Sequence, residues 1–280
     1  MYALRRFAVP TTVCLAVLCA FSPVVRGDFV TWDDDMNFLE NTSYRGLSPS
    51  HLRWMLTTVY GGHYQPLTWL TFGLDYTIWG MNPTGYHLAN LLLHAANALL
   101  FYGLLLLLLR WPILSTPKTA VDRLAAGAGA LLFAIHPLRV ESVAWATERR
   151  DVLAGFFFLA TLIAYVRRAA AQRDGGPAGR WLAVSLVCFA LSLASKVWGI
   201  TLPVVLVVLD LYPLRRGLRL LEKVPYALLA LAAVAPTLIA FDAPSHRSIA
   251  LHGMVERAAQ AAYGLVFYVR KTLAPTMLSP

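Results

Sequence analysis

Charge is scarce in this 280-residue chain: only 14% of residues are Asp, Glu, Lys or Arg. A soluble domain carries roughly 25%, so an ordinary water-solvated fold is excluded. Acidic residues are scarcer than basic ones, 15 against 24, which leaves a formal net charge of +9. Cysteine is nearly absent. Cys14, Cys19 and Cys188 all lie in apolar runs, which gives neither a disulfide framework nor a zinc-ligand spacing. A 34-residue self-similarity is also missing, which rules out a tetratricopeptide array inside these 280 residues.

What is abundant is apolar sequence. Hydrophobic residues make up 58% of the chain, and the mean hydropathy is +0.58. They fall into blocks separated by short basic stretches, the pattern of an all-α, polytopic membrane helical bundle. The basic groups are Arg5–Arg6, then Arg110, Lys118 and Arg123, then Arg167, Arg168, Arg173 and Arg180, then Arg215, Arg216, Arg219 and Lys223. This is the positive-inside bias, and it places those loops and the amino terminus in the cytoplasm. No basic face interleaved with aromatics remains for nucleic acid.

Residues 7–25 are expected to form a first, uncleaved helix, the alternative being a cleaved signal peptide, and residues 27–84 a long first external loop with interfacial helices. Spans follow at 86–109, 124–138, 151–166, 181–195, 197–212 and 224–241. The segment at 259–274 either spans or re-enters, so about 7–8 transmembrane helices are expected. Several are short, and their polar interruptions sit at the outer ends. Polar backbone and charge at that depth require a protein-lined or water-filled cavity.

Cations on the outer side oppose the topological bias and need an anion. His136, Arg139, Arg149, Arg150 and Lys196 are so placed, joined by Arg270 and Lys271 if the last segment re-enters. A lipid-linked phosphate is one such anion; internal pairing with Glu141, Glu148 or Asp151 is the other reading. His87, Asn90, His94 and Asn97 form a polar stripe at steps of three and four. It either lines a cavity or hydrogen-bonds between helices. Asp210 reads as a structural anchor.

The stretch "GDFVTWDDDMNFLEN" at 27–41 puts Asp28, Asp33, Asp34 and Asp35 immediately after the first apolar segment. A carboxylate held there can take a proton from an attacking hydroxyl. An acidic loop of this kind also admits a divalent metal.

The motifs form an ordered series: "FVTWDDDMNFLEN", "HYQPLTWLTFGLDYTIWGMNPTGYHLANLLLHAANALL", "LFAIHPLRVESVAWATERRDVLAGFFFL", "ASKVWGITLPVVLVVLDLYP" and "YVRKTLAPTMLSP". This closely resembles the membrane half of bacterial tetratricopeptide-repeat membrane proteins. Those are similar to the transmembrane and TPR-containing O-mannosyltransferases of GT-C architecture. The resemblance covers nearly the whole chain, 1–280. It implies a GT-C-like domain, a polyprenyl-phosphate-linked sugar donor and a protein or glycan acceptor on the outer face of a bacterial inner membrane. It implies Asp33 and Asp34 as catalytic residues, and His136, Arg149, Arg150, Lys196, Arg270 and Lys271 as donor-phosphate ligands. Asp35, His63, His87, His94 and Glu141 would line the cavity. The further helices and repeats of that family are not found within these residues. A membrane scaffold or a lipid-linked-anion transporter are the competing classes, and the transporter would need repeated broken helices.

Overall fold

A computed structural model describes residues 2–111, 119–240 and 253–278. Eleven α-helices are found among them: α1 (Tyr2–Phe21), α2 (Pro49–Thr57), α3 (Pro66–Trp79), α4 (Pro83–Leu109), α5 (Thr119–Ala134), α6 (Val140–Ala144), α7 (Arg149–Asp174), α8 (Ala178–Ser195), α9 (Leu202–Leu211), α10 (Val224–Ala240) and α11 (Met254–Leu273). The described residues contain no strand, so the fold is an all-α membrane bundle.

Local sequence sets the helix ends. Asn82 accepts from Thr84 N at 3.1 Å and Pro83 follows at the first helical position, a pairing that satisfies free N–H groups and removes one. Gly175 closes α7 in the left-handed region, φ 71°, where a Cβ would be strained. Between α5 and α6 the chain bends by 57°. Pro137 lacks an N–H and drives His136 into an extended conformation, φ −62° and ψ 135°. A second break follows α8, where Lys196 is extended and residues Val197–Thr201 form a 3₁₀ turn before α9.

Helices α7 and α8 form an antiparallel hairpin, α4 packs on α7, and α1 packs on α4 and α5. The α1 side of this core uses small residues: Ala126, Ala130 and Ala134 of α5 are buried at steps of four against Val13 and Val17. Small side chains let apolar helices approach closely. At Gly127 a Cβ would lie 2.5 Å from Val9 Cγ1. The first helix is thus part of the bundle's packing.

Four helical segments are long and apolar enough to cross a membrane, 7–26, 83–109, 149–174 and 178–195, or five if α5 and α6 are one bent span. The sequence predicts about 7–8 over the whole chain, whereas this count covers the described residues alone. In the C-terminal third the 3₁₀ turn and α9 together form one shorter apolar helix, Val197–Leu211, and α10 ends at Ala240, next to residues 241–252, which lie outside the described residues. Helix α11 contains Glu256, Arg257, Arg270 and Lys271 and buries no residue. Of the expected 110–123 cytoplasmic loop, residues 112–118 lie outside the described residues.

The α7–α8 turn at 175–177 and residues 213–223 lie at one end of the hairpin, where Arg216 bonds Gln172 and Glu222 pairs with Arg168; residues 27–84 lie at the other, where Thr68 bonds Ser195 O and Asp75 pairs with Arg149. Single cysteines at Ser50 and Gly176, in a background lacking Cys14, Cys19 and Cys188, are expected to label from opposite sides of the membrane. Equal sidedness with an impermeant maleimide would refute this arrangement.

The long loop holds its own core. Phe38, Tyr44, Met55, Trp69, Phe72 and Tyr86 are buried together. Tyr44 and Tyr86 share a hydroxyl contact of 3.2 Å. The first external loop, read from sequence as carrying interfacial helices, therefore has an interior of its own, with Trp69 fully buried. At the opposite end Asp210 is fully buried and accepts from Tyr165 Oη at 2.8 Å, with Lys223 and Arg216 paired to it. It anchors α7 to α9 and to the turn before α10, as its place in the sequence suggests.

Candidate active site at the acidic loop

The acidic run divides its labour. Asp34 is fully buried. Its Oδ1 accepts from Thr147 N at 2.9 Å and from Thr147 Oγ1 at 2.6 Å, and its Oδ2 from Val30 N at 3.1 Å. Asn37 adds a bond to Thr147 Oγ1 at 3.2 Å. This clamp ties the first loop to the turn before α7. Asp35 Oδ1 takes the adjacent Met36 N at 2.7 Å. Asp33 is different: its side chain is 36% exposed and its Oδ2 lies 3.5 Å from Arg150 Nη2. A divalent metal at this loop would therefore find Asp33 as the carboxylate not already engaged by backbone or hydroxyl donors. Among the described residues no group of three His, Cys, Asp or Glu side chains converges as a ligand set.

Behind Asp33 sits Glu148, nearly buried. It accepts from Arg150 Nε at 2.8 Å and from Lys196 Nζ at 2.9 Å. Lys196 also reaches Asp151 Oδ1 at 2.7 Å, and Ser142 Oγ donates to Asp151 Oδ2 at 3.3 Å. Burial pushes the Glu148 carboxyl up, but the hydrogen bonds and charges of Arg150 and Lys196 outweigh it and hold it down at about 2. Its bracing role therefore persists above that pH and is lost only as pH falls through it. His63 lies on the same side. Desolvation and the Arg150 and Lys196 cations pull it below the usual imidazole range, so its ring is neutral at neutral pH.

Arg149 and Arg150 are neighbours on one helix but face different ways. A helix turns about 100° per residue. Arg150 faces Glu148 and Asp33, whereas Arg149 enters the core of the long loop. There its Nη2 meets Asp75 Oδ2 at 2.5 Å and Tyr86 O at 2.8 Å, its Nε bonds Asn90, and its guanidinium lies 5.2 Å from the Phe72 ring centre. Expected as a phosphate ligand, Arg149 is instead buried, and these contacts engage its guanidinium. Burial raises the Asp75 carboxyl above its usual range despite Arg149.

The α4 stripe is buried throughout. His87 Nε2 faces Asp28 O at 3.4 Å, Asn90 donates to Trp145 O at 3.1 Å, His94 to Ala134 O at 2.8 Å and Asn97 to Val152 O at 2.8 Å. Each member stitches α4 to a carbonyl of a neighbouring segment, which is the hydrogen-bonding reading of the stripe. His94 and Asn97 also line a cavity of about 450 Å³ between α4, α5 and α7. A smaller one, about 140 Å³, is lined by His63, Gln65, Lys196 and Trp198.

Other expected members lie elsewhere. His136 caps the turn after the bend, accepting from Leu138 N at 3.2 Å, and its Nε2 donates to Thr272 O at 3.0 Å. Glu141 and Arg270 are exposed. Lys271 Nζ donates to Thr276 O at 2.6 Å and Met277 O at 3.0 Å, so its described contacts are with its own chain end. The structure brings together Asp33, Arg150 and Lys196 around Glu148, with Asp34 as the clamp. Sequence reading passed over Asp75 and Thr147. Asp75 carried a usable signal, a lone carboxylate in the apolar run "LTFGLDYTIW". Thr147 carried none, because hydroxyls are common at helix starts.

The chain is 33% identical over 169 residues to human Protein O-mannosyl-transferase TMTC2, covering 58% of this chain and 18% of the relative. It is 34% identical over 163 residues to Drosophila melanogaster Protein O-mannosyl-transferase Tmtc3, covering 53% and 17%. Against human Protein O-mannosyl-transferase TMTC4 it is 30% identical over 201 residues, covering 67% and 27%. The chain thus spans about a quarter or less of the length of these curated relatives. No protein-family profile matches it. No solved structure matches it either. The resemblance carried by the motif series is borne out: this chain is a homologue of the TPR-containing transmembrane O-mannosyltransferases.

Proposed function

We propose that this chain, a homologue of the transmembrane protein O-mannosyl-transferases, is the membrane domain of a glycosyltransferase. It would move a sugar from a polyprenyl-phosphate donor to a protein hydroxyl on the outer face of a bacterial inner membrane. The observation that carries the reading is Asp33. It is half-exposed beside Arg150, while its neighbour Asp34 is locked onto Thr147. A base must be both positioned and reachable, and this pair provides one group for each requirement.

In this reading Asp33 accepts the proton of the acceptor hydroxyl as its oxygen bonds the anomeric carbon. The bond from that carbon to the phosphate oxygen breaks, and the lipid phosphate leaves with the electron pair. Arg150 holds the Asp33 carboxylate, and Glu148 and Asp151 fix the two cations. Membranes from cells making the protein at its natural length would be given radiolabelled polyprenyl-phosphate-mannose and a Ser/Thr-rich peptide. Label in the peptide, dependent on this protein, is the expected result. Absence of transfer, with the protein folded and present, would sink the reading in favour of a scaffold.

A further inference from the structure

Arg150 and Lys196, two of the cations expected to meet the donor phosphate, are already matched. Asp33, Glu148 and Asp151 set three carboxylates against Arg150 and Lys196. An anion arriving there would have to displace ion pairs. The larger cavity, between α4, α5 and α7, offers a different situation. Arg139, at its rim, has a buried Nε with no hydrogen-bond partner. Among the described residues it forms no ion pair, and its guanidinium rests 5.1 Å from the Phe133 ring centre. A buried donor left without a partner costs about 1–3 kcal/mol, a cost that a bound anion would offset.

The chamber is polar at one end and apolar along its length. Arg139, Ser142 and Asp151 lie at the bend, while Phe101, Phe158 and Leu159 line the wall. From Asp151 to Leu159 the α7 axis rises about 12 Å at 1.5 Å per residue. The wall is formed by helices apolar enough to span the membrane, so its greasy end runs into the hydrocarbon depth. Its volume of about 450 Å³ falls within the roughly 300–1,000 Å³ of small-molecule sites. The bend at Pro137 is what sets Arg139 at its mouth.

We infer that this chamber is the seat of an isoprenyl phosphate, with the phosphate on Arg139 and the first isoprene units along Phe101, Phe133 and Phe158. The assignment rests on the transferase reading for the identity of the lipid. It places the phosphate on a residue other than Arg149, Arg150 or Lys196. Asp151 lines the chamber and pairs with Lys196, which lines the smaller His63 cavity. Trp198 borders both. One ion pair and one indole thus separate the lipid chamber from the smaller His63 cavity.

The test is binding, measured without turnover. A diazirine-bearing farnesyl phosphate is titrated into the purified full-length protein and the cross-linked peptides are mapped. Cross-links at α5 and α7 are expected, with competition by farnesyl phosphate and little by inorganic phosphate or phosphatidic acid. Arg139→Gln should weaken binding at least tenfold, since a charge-assisted phosphate contact is lost. Gly155→Leu fills the chamber from α7; a Cβ there meets Asn97 Nδ2 at an ordinary 3.6 Å, so the first carbon fits and the rest of the side chain enters the chamber that Gly155 lines. It should abolish the α7 cross-link. Unchanged binding in both variants overturns the assignment, as does equal competition by phosphatidic acid, which would mark a bilayer-lipid niche. Arg139-dependent binding without sugar transfer would keep the chamber and overturn the transferase reading instead.

Discussion

Asp33→Asn is expected to lower sugar transfer by about 10²–10⁴-fold, the typical worth of a general base, while leaving folding intact. Asn matches Asp in shape but is not a comparable base. The side chain is 36% exposed and its described partner is Arg150 at 3.5 Å, so little packing is disturbed. Asp34→Asn should behave differently. Its carboxylate accepts three hydrogen bonds, from Val30 N, Thr147 N and Thr147 Oγ1. An amide nitrogen cannot accept, so at least one buried donor loses its partner, at about 1–3 kcal/mol. That variant should lose transfer together with protease resistance in the 27–84 loop. Initial rates with saturating donor, read beside limited proteolysis, separate the two cases. Near-wild-type transfer in Asp33→Asn would remove it as the base; loss of protease resistance in Asp33→Asn alone would reverse the assignment of roles.

The second large effect concerns the Arg149–Asp75 pair. Asp75→Ala should destabilise the protein by about 3–5 kcal/mol, because it strands a buried guanidinium that cannot shed its proton. Arg149→Met should cost less. Burial already raises the Asp75 carboxyl, so without Arg149 it takes up a proton rather than remaining a bare charge. A carboxyl raised in the folded state contributes stability at low pH that is lost as pH rises through its folded value. The Arg149→Met variant should therefore become more stable on acidification, and Asp75→Ala should not share that dependence. The double variant Asp75→Leu with Arg149→Met should recover much of the loss. Thermal unfolding in detergent at several pH values reads all three. Equal destabilisation by both single variants at every pH would contradict this account.

Helix breaks show where sequence patterning falls short. Hydropathy marked the apolar stretch at 197–212 as one helical segment. The structure divides it, with Lys196 extended and Val197–Thr201 a 3₁₀ turn before α9, a break that an averaged hydropathy does not register.

The sequence by itself determined the class of the molecule. Scarce charge and long apolar blocks leave no other way to satisfy the backbone than helices in a bilayer. It also determined the resemblance, because the aromatic–Asp–Asp run and the "HP…RRD" block are local and ordered. Only the tertiary structure decided which charge does what. Arg149 and Arg150 are adjacent and chemically identical, yet one is interior and the other reaches Asp33, because helical rotation sends successive side chains in different directions. Asp33 and Asp34 differ in the same way, one exposed and one spent on Thr147, 113 residues away. Partners that distant leave no trace in local pattern; whether a charge is free or matched depends on what the fold brings against it.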